Sequence, residues 1–459
     1  MSSLPDNFIA SAREALGCEV AEHLFAAIEA EESVTAVRAN PAKISAGKLA
    51  ENFQMLESEP VPWCPDALYL SSRPVFALDP WFHSGAYYVQ DASSMFVAAL
   101  VEGLKKKHFQ AEGARFLDLC AAPGGKSTSV ASLLSENDLL VANETISSRA
   151  TVLAENICKW GRPNVVVTSS DPSAFASVPS FFDLMLTDVP CSGEGMFRKD
   201  SDAVGEWSAE NVALCAARQR RIVSDAWPAL KQGGFLIYST CTFNRFENDC
   251  NVEWICSELG AEIVPLASVA DESCTGALKT RCGLQFVPGT TRGEGLFVAL
   301  LRKTSESPQA RRKAEKQTRN AKKCDCPQLT GDFSAYNVVT ASGEQIIKAY
   351  PSGLEADIKY LETALRVIRS GIAVTTVKGK DQIPSAALAL STALAQNAYP
   401  AVELNREQAL AFLRLQPVAL AETQRGFVLL RYKAVPLGFV KNLGSRCNNL
   451  FPSAWRLRM

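Results

Sequence analysis

The 459 residues predict an α/β fold: a parallel sheet with helices on both faces, preceded by a small α+β unit and followed by a second globular region that ends in strands. Three observations carry this expectation. From about residue 114 to 303, short apolar runs alternate with helical runs, the texture of parallel strands buried on both faces. The first ninety residues mix helical spacing with a strand-like run. The end of the chain, from Arg425 on, reads as strand-rich and carries seven basic and no acidic residues. Composition agrees, with 47% hydrophobic and 21% charged residues. At roughly 150 residues per domain the length suggests about three domains.

Taken in order, Phe8, Ala12, Ala15 and Leu16 fall at helical spacing, as do Leu24, Ala27 and Ile28. A strand is expected at Ser33–Val37. Gly85–Val89 reads as a strand end running into a helix from Gln90. Five strands follow, at Arg115–Leu119, Leu139–Asn143, Asn164–Thr168, Phe182–Thr187 and Gly234–Ser239, separated by helical runs such as Thr128–Leu134 and Arg149–Trp160. Gln285–Val287 and Gly295–Leu301 suggest an antiparallel edge hairpin. Residues 302 to 323 hold nine basic against two acidic residues and few large apolar ones. This marks a solvated linker, or a linker that also touches phosphates. Helices are expected at Glu355–Ile368 and Ser385–Gln396. The division is therefore 1–90, 91–303, a basic linker 304–330, and 331–459.

The formal net charge of −2 gives no overall reason to expect anionic partners. No run approaches the roughly 18 apolar residues of a membrane span. Asp6, Arg13 and Glu14 interrupt any secretion signal. The fourteen cysteines include no C-x-x-C pair, so free thiols in the cytoplasm are expected and no metal site. Three histidines leave little room for a His-rich centre.

Phe116-Leu-Asp-Leu-Cys120-Ala121-Ala122-Pro123-Gly124-Gly125-Lys126-Ser127 is the most informative stretch. A strand runs into small residues and then a helix, which places backbone N–H groups at the ligand edge of the sheet. A phosphate-cradling P-loop needs glycine where Cys120 stands, and G-x-G-x-x-G is absent. Glu144 ends the second strand, where an acid can accept from ribose hydroxyls. Asp171 follows the third and can accept from an adenine amino group. Each acid alone is as readily a cap or a solvated loop residue. Together, a nucleoside with an incomplete phosphate cradle points to S-adenosylmethionine.

Thr187-Asp188-Val189-Pro190-Cys191-Ser192-Gly193-Glu194-Gly195 follows the fourth strand, and Tyr238-Ser-Thr-Cys241-Thr the fifth. Two cysteines and an aspartate thus share the ligand edge. Carbon 5 of a pyrimidine is a poor nucleophile. A thiolate adding at carbon 6 makes it enamine-like, able to attack a sulfonium methyl. A carboxyl group at N3 offsets charge during addition, and a base must later remove the carbon-5 proton.

These motifs, with Arg38-Ala-Asn40, Gln90-Asp-Ala-Ser-Ser94 and Phe197-Arg-Lys-Asp200, resemble the Sun (NSUN) RNA cytosine-5 methyltransferases over about residues 30–303. Gly438-Phe-Val-Lys441 through Asn448-Asn-Leu-Phe-Pro452 is similar to the PUA-like end of the bacterial ribosomal RNA methyltransferase F type. The resemblance implies a Rossmann-like class I methyltransferase domain, an N-terminal α+β RNA-binding unit and a PUA-like end. It implies Cys241 as nucleophile, Cys191 in product release, and Asp188 against target base and cofactor. Residues 120–126 with Glu144, Asp171 and Arg149 are implied to hold S-adenosylmethionine. The implied partner is structured RNA, ribosomal RNA or the small ribosomal subunit, met by a cytoplasmic monomer without a membrane. Two departures stand out: Val189 where alanine is common, and Pro288-Gly289 where many members have Pro-His.

Two rival readings stay open at this point. A DNA cytosine-5 methyltransferase would use Cys191 as nucleophile. A non-enzymatic RNA-binding assembly factor would keep the fold without the chemistry. The basic tail and N-terminal unit favour RNA, which is recognised through shape and splayed bases.

Overall fold

The computed structural model describes residues 4–30, 33–109, 113–306, 322–340, 343–420 and 424–458. Helices Asp6–Leu16 and Cys18–Glu29 open the chain. Their buried faces, with Phe8, Leu24 and Phe25, pack on Phe197, Trp207 and Phe243 rather than on the sheet next to them in sequence. That sheet comprises β1 (Thr35–Ala39), β2 (Ser58–Val61), β3 (Cys64–Leu70) and β4 (Tyr87–Val89), in the order β2-β3-β1-β4. The strand expected at Ser33–Val37 is shifted to Thr35–Ala39, because Arg38 and Ala39 pair with Tyr88 and Tyr87.

The central sheet contains β5 (Arg115–Asp118), β6 (Leu139–Asn143), β7 (Val165–Thr168), β8 (Phe182–Asp188), β9 (Leu230–Thr240), β10 (Ala261–Ile263), β11 (Leu278–Lys279), β12 (Leu284–Phe286) and β13 (Leu296–Lys303). Its order is β11-β12-β13-β9-β8-β5-β6-β7, with β10 also on β13. β5 to β9 are parallel and β13 is antiparallel to β9. The expected hairpin of β12 and β13 forms, but β13 lies inside the sheet, between β9 and β12. One apolar layer packs helices Ala92–His108, Gly125–Leu133 and Ser147–Trp160 on one face. A second packs Ala209–Ala226, Asp249–Leu259 and Glu355–Ala364 on the other. Strand order reverses between β5 and β8, so the crevice outside their carboxyl ends is where such a sheet binds ligands.

Downstream, β14 (Lys322–Cys324), β15 (Phe333–Val339), β16 (Gln345–Pro351), β18 (Ile372–Lys378) and β19 (Asp381–Pro384) form a five-stranded antiparallel sheet. Between β16 and β18 the chain contributes β17 (Val367–Arg369) to the central sheet, antiparallel to β7. The helix expected over Glu355–Ile368 therefore stops at Ala364, where Leu365 turns extended and sheet pairing takes over. The helix expected over Ser385–Gln396 is only Ala386–Leu390. The backbone beyond it is claimed from outside: Thr392 N donates to Gly161 O and Ala395 N to Gln328 O. Tertiary contacts override local propensity here.

The basic run is also redistributed. Arg302 and Lys303 end β13, and the buried Lys303 ammonium donates to Trp227 O and Leu230 O. Residues 322–324 are strand, so the linker expected over 304–330 gives way to β14 before it ends. Its middle, 307–321, lies outside the described residues. The C-terminal unit is the sheet β20 (Ala401–Leu404), β21 (Gly426–Tyr432), β22 (Val435–Asn442) and β23 (Cys447–Asn449), with the helix Arg406–Leu413, which the sequence pattern did not suggest. It shares one apolar core with the β1–β4 sheet, and Trp81 Nε1 donates to Tyr432 O. Among the described residues no helix is long and apolar enough to cross a membrane.

Candidate active site

A cavity of about 510 Å³ opens at the carboxyl edge of β5, β6, β7 and β8. Cys120, Ala122, Glu144, Arg149 and Asp171 line one side, and Asp188, Cys191 and Cys241 the other. Eight of the residues singled out from sequence thus meet in one place. Ala121, Pro123, Gly124, Gly125 and Lys126 shape it from behind. Ala121 N donates to Asn143 O, holding the loop on β6. Pro123 O accepts from Asn156 Nδ2, and Gly124 O accepts Thr128 N in the first helical turn. Glu144, nearly buried, accepts from Ile146 N and pairs with Arg149 at 3.1 Å. Arg149 in turn donates to Ala122 O. Asp171 is exposed and caps its own turn, accepting from Ser173 Oγ and N, and these bonds hold its pKa below the usual carboxylate range.

Lys126 sits on the far side of the loop and binds Asp188 at 2.8 Å. Burial works to lower the pKa of its ammonium, but Asp188 outweighs burial and the net shift is upward. The other Asp188 oxygen accepts from Ser239 Oγ at 3.0 Å, and the two residues are register partners on β8 and β9. Asp118, below them, accepts from Ser127 Oγ, and burial pushes its pKa up to about 7.

Cys191 Sγ and Cys241 Sγ stand 3.0 Å apart, both as free thiols. The neighbouring Cys241, then burial, drive the Cys191 pKa well above the usual thiol value. Both sit just past adjacent strand ends, so the parallel pairing of β8 and β9 is what brings them together.

In the polar layer behind the thiols, Ser192, Glu194 and Thr242 belong to the two cysteine motifs, whereas Gln219, Asn244 and Glu247 carry no signal in the sequence. Glu194, 1% exposed, accepts from Thr242 Oγ1, Phe243 N, Asn244 Nδ2 and Trp207 Nε1. Glu247, fully buried, accepts from Ser192 N, Gln219 Nε2 and Asn244 Nδ2, and burial raises its pKa. The two carboxylates staple the loop after Cys191 to the loop after Cys241 through donors alone. Asn244-x-x-Glu247-Asn248 reads in sequence as an ordinary polar loop, so nothing along the chain marks these residues as buried.

The other family-like motifs act as struts. Arg38, 3% exposed, donates to Gln90 Oε1 and Thr128 Oγ1 and lies 4.7 Å over the Trp160 ring. It fastens the N-terminal sheet to the helix Gly125–Leu133 that follows the 120–124 loop. Asp91 caps the next helix and accepts from Glu294 N, while Arg198 and Lys199 both bind Glu294. Gly289, at φ +89, leaves no room for a side chain, since a Cβ there would lie 2.5 Å from His23 O. The Pro-Gly departure thus lets this loop seat on the N-terminal helix.

The donor set suits S-adenosylmethionine. Glu144, Asp171 and Asp188 line the cavity, offering acceptors to hydroxyl and amino groups and negative charge to a sulfonium, and Cys120 and Ala122 are small enough to leave its wall open.

Similarity to known proteins agrees with this construction. Residues 109–302 match the family described as 16S rRNA methyltransferase RsmB/F. Residues 4–92 match the N-terminal domain of 16S rRNA methyltransferase RsmF, and 399–457 the methyltransferase RsmF PUA domain. The chain is 31% identical to ribosomal RNA small subunit methyltransferase F of Klebsiella pneumoniae, over 98% of this chain and 95% of that one. It is 33% identical to the protein of the same name from Escherichia fergusonii, over the same shares. In fold it resembles NSun6 from Pyrococcus horikoshii solved with SFG, an S-adenosylmethionine analogue, at TM-score 0.54 and 20% identity, covering 66% of this chain and 99% of that one. With relatives matched along nearly its whole length, a Rossmann-like catalytic sheet and a PUA-like end, the chain belongs to the S-adenosylmethionine-dependent RsmF family of 16S rRNA methyltransferases.

Proposed function

We propose that this protein methylates carbon 5 of a cytidine in 16S ribosomal RNA through a covalent bond from Cys241 to carbon 6. The observation that carries the reading is the pair of thiols 3.0 Å apart at neighbouring strand ends, beside Asp188. The relatives' names supply the RNA.

The chemistry follows from the groups present. By the chain's resemblance to the Sun methyltransferases, attack falls to Cys241 and product release to Cys191, whose thiol pKa is pushed up by its neighbour and by burial. The Cys241 thiol gives its proton to solvent, the thiolate adds to carbon 6, and the ring electrons move so that carbon 5 becomes nucleophilic. Asp188, held by Lys126 and Ser239, faces N3. A proton passed from the Lys126 ammonium through the Asp188 carboxyl group to N3 offsets the negative charge that develops there. S-adenosylmethionine, when bound, supplies an electrophilic methyl group to carbon 5. Cys241 is then a neutral thioether and no longer competes with Cys191 for the shared proton. Cys191 first releases its own proton to solvent. The thiolate then takes the carbon-5 proton, and the electrons of that C–H bond re-form the ring double bond. The N3 proton returns through Asp188, and the carbon–sulfur bond breaks to return the Cys241 thiolate. The N-terminal unit, residues 1–90, and the PUA-like end hold the RNA, while 91–303 perform the transfer.

Bisulfite sequencing of 16S ribosomal RNA from strains with and without the gene tests this. One cytidine protected only in the wild type is expected, and no difference overturns the reading. Tritium-methyl transfer into RNA but not DNA separates it from the DNA-type mechanism.

A further inference from the structure

We propose that Arg218 and Arg221 grip the phosphodiester backbone of the RNA strand next to the target nucleotide. The proposal rests on the reading that RNA is the substrate, and it concerns two residues to which that chemistry gives no part.

Helix Ala209–Ala226 is docked by Gln219. Its Nε2 donates to Pro190 O, the residue before Cys191, and its Oε1 accepts from Tyr238 OH. That contact sets the rotation of the helix: Gln219, Ile222 and Val223 are buried, while Leu214, Arg218 and Arg221 come out on one flank. Spacings of four and three residues place these three side chains in one stripe. Both arginines are exposed and line the same cavity as Cys191 and Cys241. Among the described residues neither closes an ion pair within 4.0 Å.

The other cations at this cavity are committed. Arg149 is held by Glu144 and Ala122 O, and Lys126 by Asp188. Asp171, the carboxylate near Arg221, is turned into its own loop by Ser173. Thus, among the described residues, neither guanidinium group touches a carboxylate, and Asp171 acts on Arg221 only through space. Both stand at the mouth of a site lined by carboxylates. Arginine forks match phosphate oxygens in bidentate geometry. A base can reach the thiols only from a splayed strand, which leaves its flanking phosphates at the cavity mouth. Leu214 and Met196, 65% and 42% exposed, extend the surface with apolar area suited to unstacked bases.

The test measures RNA affinity across a salt series for Arg218→Gln, Arg221→Gln, the double variant and the charge-reversed Arg218→Glu. Cofactor affinity is read by calorimetry on the same proteins. The expected result is a log–log salt slope lower by about 0.7 for each glutamine variant, and roughly tenfold weaker RNA binding for the charge reversal. Cofactor affinity should stay as in the wild type. An unchanged slope in the double variant overturns the proposal. So does a loss of cofactor affinity, which would assign the arginines to the cofactor's carboxylate. If the wild type binds RNA yet makes no 5-methylcytidine, the cytidine reading fails while the slope still decides the clamp.

Discussion

Gly195 runs so close to Cys241 that a Cβ on it would stand 2.2 Å from the Cys241 carbonyl oxygen and 3.1 Å from the Cys241 Cβ. The loop after the first cysteine is therefore pressed directly on the second. Gly195→Ala must move one of them, and a shift of about 1 Å in a reacting group costs on the order of 100-fold in rate. We expect that loss in single-turnover methyl transfer, with cofactor affinity retained. Near-wild-type turnover would mean that the two loops can separate without harm.

The two cysteines should behave oppositely towards RNA. Cys241→Ala is expected to abolish transfer and to leave cofactor binding intact. Cys191→Ala should still bond to carbon 6 and then stall, because the carbon-5 proton is not removed. The stalled species is a protein–RNA adduct that survives denaturing electrophoresis. An adduct from Cys241→Ala and none from Cys191→Ala would exchange the two roles.

Glu194 is expected to be structural before it is anything else. Its carboxylate satisfies Trp207 Nε1, Thr242 Oγ1 and two backbone amides in a buried site. Glu194→Ala strands those donors, at about 1–3 kcal/mol for each one left unpaired. Urea unfolding should show a loss of about 3 kcal/mol or more. A loss within 0.5 kcal/mol, the ordinary range for a surface change, would show that water replaces the carboxylate.

Asp118 makes stability depend on pH in a defined window. Burial raises its pKa from 3.8 to about 7 in the folded protein. Between those values the folded state holds a proton that the unfolded state has released. Stability from this group is therefore present below 3.8 and is lost as pH rises through about 7, at about 1.4 kcal/mol per pH unit within the window. Asp118→Asn keeps an acceptor for Ser127 and cannot titrate. The difference in unfolding free energy between wild type and variant should slope across pH 4–7. A flat difference would show that Asp118 is ionised throughout.

The basic end of the chain is less uniform than its charge suggests. Lys441 is bound to Asp381 at 2.7 Å and Lys433 to Asn52, whereas Arg446, Arg456 and Arg458 are exposed. Arg446→Glu is expected to weaken RNA binding roughly tenfold and to flatten its salt dependence. Lys441→Ala should change either less, because its charge is already met. Equal effects from the two would show that the Asp381 pair opens on binding.

Read alone, the sequence settled what depends on neighbours along the chain. The strands from Arg115 to Ser239 show as apolar runs of buried parallel sheet, and the loop 120–126 shows as small residues between strand and helix. Because parallel strands end on one edge, placing Asp188, Cys191 and Cys241 past strand ends was enough to predict that they meet. Only the tertiary structure decided how close they come and what holds them there. The 3.0 Å between the sulfurs depends on the register Asp188↔Ser239, on Gly195 against Cys241, and on Glu194 and Glu247 joining the two loops. The N-terminal helices read as amphipathic, but nothing in their spacing names Phe197 and Trp207 as the surface that they cover. Val367 and Ile368 read as the end of a helix until β7 offers an unpaired edge, on which Val367–Arg369 becomes a strand. In each case hydrophobic period is a local property, whereas an edge, a cavity or a buried acceptor exists only once distant segments have been brought together.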